Sequence, residues 1–215
     1  EIVEVEGIRI ALIAFTKGMD NLGLPAGSED CVNLLYTDYS STYQKVDEEG
    51  ITRVVRNAAA HEPDVMIALV HWGGEGSTVI NKTQEKIRDI LQEEGVDAII
   101  GTHPHHVQKM DWDRDAEQFV AWSLGDFYGD MADNSYSVLL DLEITKDGKT
   151  GETKVTDFEY VPIYMHKDEA GNVRLLRINE AVAAYENRYL DRVSEETYNA
   201  MKNALESIKS KMKKK

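Results

Sequence analysis

One cysteine, Cys31, stands in a chain of 215 residues, so no internal disulfide can staple the fold. A single thiol says little about compartment. The chain also lacks any apolar run of about 18 residues, the length a membrane-spanning helix needs. Where a secretory leader would be basic and then apolar, it opens on acidic, strand-like residues. Positive charge is scarce: 24 Lys and Arg against 39 Asp and Glu give a net charge of -15. Part of that small stock, Lys209, Lys211, Lys213, Lys214 and Lys215, is crowded at the carboxyl end. This balance argues against a nucleic-acid partner, which is held by neutralising phosphates with Lys and Arg. No repeat and no low-complexity linker marks a domain boundary. What is present is 42% hydrophobic residues, enough for one substantial core.

The pattern of those residues predicts an α/β architecture. Residues 1–15 alternate through Glu6, turn at Gly7 and then run apolar from Ile8 to Phe15, the signature of paired strands entering a buried sheet. Leu22 to Tyr43 has no sustained period and reads as a long surface excursion. Gly50 to His61 carries Ile51, Val54, Val55 and Ala58 on one helical stripe, and "DVMIALVHW" follows as a strand buried on both faces. The arrangement repeats at once. Lys82 to Glu94 is a helix with Ile87, Ile90 and Leu91 on one face, Gly95 stops it, and "VDAIIGTH" is a second buried strand. Strand, helix, strand with both strands apolar indicates a parallel crossover, whose functional loops follow the carboxyl ends of the strands. Antiparallel strands are expected in "VQKMDWD", "QFVAWSL", "SYSVLLDLEIT", "TKVTDFEYVPIYM" and "GNVRLLRI". Helices are expected over Asn179–Tyr189 and Ser194–Met212, the second with Ser194 and Thr197 at its start.

Both crossover strands end on histidine. "HWGGEG" begins at His71, and "GTHPHH" places His103, His105 and His106 within four positions, with Pro104 stiffening the backbone between the first two. Two readings stand. Strand-end histidines are often simply solvated, whereas neutral imidazoles from two adjacent strands are competent ligands for zinc, manganese or iron. Four of them at one predicted edge favour the metal reading, with His71, His103 and His105 as ligands and His106 the least persuasive. Glu75 with His71 forms a candidate acid–base pair, against the alternative that Glu75 satisfies a nearby backbone group. Asp126 and Asp130 flank a glycine-containing loop and read first as turn residues, second as cation ligands. Trp72, Trp112 and Trp122 read as packing residues before they read as a polymer groove.

The series "HWGGE", Gln84, "VDAIIGTHPHHVQ" and "WSLGDF" resembles, in order, the motifs of the bacterial poly-γ-glutamate capsule synthesis proteins, the CapA-like family. That family in turn resembles calcineurin-like metallophosphoesterases. The resemblance covers roughly Ile8 to Asp130. It implies a metallophosphoesterase-like layered sheet over residues 1–178, with a helical extension over 179–215. It also implies a divalent metal held by His71, His103 and His105, with Glu75 and His71 in catalytic roles and Asp126 and His106 in support.

Asp126 stands where the family usually shows Asn. No counterpart of the family's early Asp and Asn-Asn-His motifs precedes His71. The chain is therefore expected to be a carboxyl-terminal segment whose site is completed by an amino-terminal half or another capsule-synthesis subunit. The strand Ile8 to Phe15 is expected to leave an open sheet edge that invites such pairing or a homo-oligomer. The activity implied is metal-dependent hydrolysis or transfer on a phosphorylated intermediate or an anionic polymer, at the outer face of the bacterial membrane. The alternative is a non-catalytic scaffold or polymer-binding subunit of a membrane-bound synthase or export complex.

Overall fold

The computed structural model describes residues 1–19, 22–129, 135–168, 170–190 and 193–212. Its first sheet has six strands: β1 (Ile2–Val5), β2 (Ile8–Thr16), β3 (Val65–His71), β4 (Ala98–Thr102), β5 (Met110–Asp113) and β6 (Gln118–Ala121), in the order β1-β2-β3-β4-β6-β5. Strands β2, β3, β4 and β6 run parallel, and β1 and β5 close the two edges antiparallel. Helix α1 (Glu48–Ala59) links β2 to β3, and α2 (Lys82–Glu93) links β3 to β4, as the repeated strand–helix–strand pattern requires. Strands β7 (Tyr136–Lys146), β8 (Thr153–Lys167) and β9 (Val173–Arg177) form a second, wholly antiparallel sheet. Helices α3 (Ile178–Glu186) and α4 (Glu195–Lys211) complete the described fold.

Strand periodicity decides which layer each side chain enters. From β3, Met66, Ala68, Val70 and the following Trp72 face one core, where Ile51 and Val55 of α1 and Ile87 and Leu91 of α2 meet them. Val65 and Ile67 face the opposite way, into a second core with Phe119, Val138, Phe158, Ile178, Met201 and Ile208. The first sheet is thus covered on both faces, which is why its parallel strands read as nearly unbroken apolar runs. Helix α2 starts at a capping box, with the Asn81 side chain accepting from Gln84 N–H and the Gln84 amide oxygen accepting from Asn81 N–H.

Two expectations need correction. The edge at β2 is not open: β1 pairs with Ile8 to Ala11, Leu12 N–H donates to Glu1 O, and Thr16 bridges to Leu34. The stretch from Leu22 to Tyr43 is not wholly a surface excursion, because Leu35 and Tyr36 are buried in the first core. Segments "VQKMDWD" and "QFVAWSL" pair antiparallel as β5 and β6, as expected, and β6 adds a parallel pairing with β4. Asp130 and Lys213 to Lys215 lie outside the described residues.

Candidate functional site

Parallel register brings the strand ends to one rim. Thr16 pairs with His71 across β2 and β3, and His71 pairs with Thr102 across β3 and β4, so Lys17, His71 and His103 leave the sheet side by side. The His71 and His103 rings lie 4.4 Å apart between centroids, and those of His103 and His105 lie 6.1 Å apart. The turn that achieves this is strained. His103 has φ 90° and His105 has φ 63°, left-handed values that L-residues avoid, on either side of Pro104.

Beneath the rim, the quoted motifs turn out to be packing devices. Trp72 and Trp122 stack with centroids 5.3 Å apart, and both are essentially buried, at 0% and 1% exposure. Trp72 Nε1–H donates to Trp122 O at 2.9 Å directly over Gly101, where a Cβ would sit 2.1 Å from that same oxygen. Gly73, at φ +81°, leaves room for the buried Gln84 amide, 2.8 Å from where its Cβ would be. Gln84 Nε2–H donates to Gln108 Oε1 at 3.5 Å, and Gln108 Nε2–H donates to Ser77 O at 3.0 Å. A buried pair of amides therefore pins the glycine-rich loop after β3. The polymer-groove reading of Trp72 and Trp122 does not survive their burial. Trp112 packs edge-on against Phe158.

Two contacts fix the imidazole chemistry. Lys17 Nζ lies 3.1 Å from His103 Nε2 and 3.1 Å from Gly73 O, with the Tyr43 ring 4.6 Å from the ammonium. A lysine ammonium only donates, so His103 Nε2 is the acceptor and the ring is neutral with its proton on Nδ1. Burial first, then the charges of Lys17, His71 and His105, holds the His103 pKa down at about 3. His105 Nδ1 lies 2.9 Å from both carboxylate oxygens of Asp126, which leaves Nε2 as its outward nitrogen.

His71 is exposed at the end of β3, and Glu75 is exposed in the following turn. Among the described residues Glu75 makes no hydrogen bond or ion pair with the cluster. His106 is half-buried beside the turn and has no such partner among the described residues either. Lys17 was missed in the sequence. The signal was available, because it follows a strand that ends in register with His71.

A match to a family model decides the relationship: residues 1–131 fit the bacterial capsule synthesis protein PGA_cap. The chain belongs to that family. It is 27% identical over 179 residues to the PGA biosynthesis protein CapA of Bacillus subtilis (strain 168), covering 81% of this chain and 43% of that protein. It thus spans less than half the length of this relative. Among solved structures it is similar to a hypothetical protein from Thermus thermophilus, with TM-score 0.44 and 11% identity over 75% of this chain and 60% of that one. It is also similar to the calcineurin-like phosphoesterase YfkN from Bacillus subtilis, with TM-score 0.39 and 17% identity over 91% and 53%. At such scores neither likeness adds to the fold as described.

A divalent metal at this PGA_cap rim can be tested against the donors. Two imidazoles sharing one zinc, with Zn–N of about 2.0–2.1 Å, have ring centres roughly 5 Å apart, and the observed spacings bracket that value. The nitrogens follow only in part. His103 Nε2 faces the Lys17 ammonium, whereas His105, with Nδ1 on Asp126, keeps Nε2 available as a ligand. Among the described residues no group of three or more His, Cys, Asp or Glu is arranged to hold an ion. These residues therefore do not fit a metal centre by themselves.

Proposed function

We propose that this chain serves capsule biosynthesis by acting on poly-γ-glutamate, or on a phosphorylated intermediate of its assembly, at the outer surface of the bacterial cell. The rim of His71, His103 and His105 is its hydrolase-like site. The observation that carries this reading is the convergence of the three imidazoles on one sheet edge, two of them held at positive φ. Strained backbone of that kind, about 1–3 kcal/mol per residue, clusters at functional sites. His105 has the arrangement of a general base, because Asp126 anchors Nδ1–H and leaves Nε2 to take a proton from an attacking water. The same proton then passes to the leaving amine of a γ-glutamyl amide. The divalent metal implied by the family enters no step of this account.

A second reading is supported by the lack, among the described residues, of a cluster of three or more ligands able to hold an ion: a non-catalytic scaffold or polymer-binding subunit working with another capsule-synthesis protein. Incubating the chain with a γ-linked glutamate oligomer and with a phosphate monoester, and reading products by mass spectrometry, separates the two. The hydrolase reading expects cleavage that His105→Ala slows by about a hundredfold or more. Binding without cleavage of either substrate supports the scaffold.

A further inference from the structure

The segment that follows the histidine turn is clasped by two loops. Gln108 Nε2–H donates to Ser77 O at 3.0 Å and to Val79 O at 3.5 Å, while Gln108 N–H donates to Ser123 O and Val107 bridges to Leu124. Both loops carry large apolar side chains into solvent: Val79 is 70% exposed, Phe127 58% and Tyr128 68%. The second loop is fixed on either side of its two rings. A Cβ on Gly125, at φ +76°, would lie 3.1 Å from Val107 Cγ2 and from Ser137 Cβ. Asp126 grips the His105 ring, and a Cβ on Gly129 would lie 2.7 Å from Asp126 Oδ2. Adjacent aromatic rings held out in water by an anchored backbone, beside a polar site, are surface fitted for a ligand.

We infer that Phe127 and Tyr128 form the subsite that grips an extended γ-linked chain beside the His105–Asp126 pair, through the uncharged links of its backbone. This deepens the capsule-biosynthesis reading and rests on the rim being its site. Continuity places the subsite there: Phe127 follows directly on Asp126, whose carboxylate lies 2.9 Å from His105 Nδ1. Charge selects the occupant. A chain of net charge -15 repels a polyanion and an anionic bilayer alike, so attraction has to come from uncharged contact. Between successive carboxylates each γ-glutamyl unit presents an ethylene link and a planar amide, and aromatic faces pack on both. A phosphate monoester has no such repeat, so the two rings favour the amide substrate over the phosphorylated one.

The test compares binding of a γ-linked glutamate dimer and hexamer by calorimetry. It uses the wild type, Phe127→Ala combined with Tyr128→Ala, and the conservative pair Phe127→Tyr with Tyr128→Phe. The hexamer is expected to bind the wild type about tenfold or more tighter than the dimer. The alanine pair should lose most of that gain while holding the dimer within about twofold of its wild-type affinity, and the conservative pair should keep the gain. Ethylene protons of the hexamer should shift upfield on binding, as ring currents require, and lose that shift in the alanine pair. Circular dichroism melting confirms that each variant is folded. Vesicles containing phosphatidylglycerol and sedimentation of the chain alone test the other occupants. Equal hexamer affinity in the wild type and the alanine pair overturns the inference. So does vesicle binding or dimerisation that needs the two rings when hexamer binding does not. Hexamer binding no tighter than dimer binding overturns it as well, and leaves the capsule-biosynthesis reading standing. If the wild type binds neither oligomer, that reading fails at this rim and the subsite fails with it.

Discussion

At the scale of single residues, the short motifs divide into those that face the rim and those that build the floor under it. Gly101 belongs to the floor. A methyl group there collides with Trp122 O and Trp72 Nε1, so Gly101→Ala is expected to lose about 3 kcal/mol or more through overpacking and a broken buried hydrogen bond, measured by urea denaturation. Asp126 belongs to the rim. Asp126→Asn should leave the fold intact but loosen the tautomer of His105, read as a change in its ring nitrogen shifts by NMR. Asp97 offers a pH test away from the site: burial pushes its carboxyl pKa up, against the bond it accepts from Met66 N–H at 2.7 Å. The native state therefore holds this proton at pH values where the unfolded chain has released it, and stability falls as pH rises through that window. Relative to Asp97→Asn, the wild type should gain stability between neutral pH and about pH 4.5, seen as a narrowing gap between their denaturation midpoints.

At the scale of elements, the crossover units were legible because each strand is buried on both faces and each helix shows a stripe of period 3.6. Helix α1 was expected from Gly50 and begins at Glu48, and α2 was expected over Lys82 to Glu94 and ends at Glu93. The parallel partnership of β6 with β4 was not legible, since a short apolar strand pairs either way and its direction depends on the route of the chain around β5. Leu35 and Tyr36 were hidden for another reason: an irregular segment with buried residues has no period to read. Nor did the sequence disclose that α4 reaches back to the site. Lys211 Nζ–H donates to Val107 O at 2.6 Å, fastening the last helical turn to the loop that follows the histidines. Lys211→Met is expected to cost about 1 kcal/mol and to raise amide hydrogen exchange around Val107. Asn81→Ala, which removes the cap of α2 and loosens Gln84, should cost about 1 kcal/mol by thermal denaturation.

For the whole molecule, the two cores on opposite faces of one sheet hold the strand ends in register, and register is what gathers Lys17, His71 and His103 at a single edge. The gathering of these strand ends at one rim followed from the sequence, because it needs only the rule that parallel strands present their carboxyl ends together. The chemistry of the rim did not, because the orientation of ring nitrogens depends on partners as distant in the chain as Lys17 and Asp126.

A rival surface exists in a cavity of about 550 Å³ where Arg88, Lys109 and Arg114 are interspersed with Asp111, Asp113 and Asp115, and Lys109 pairs with Asp111. Amide chemical-shift mapping with a γ-linked glutamate oligomer distinguishes the two places directly. The account predicts saturable shifts centred on Lys17, His71, Gly73, His103 and His105, with Arg88 and Arg114 unchanged. Shifts confined to the Arg88–Arg114 cavity, with the histidine turn silent, would contradict it.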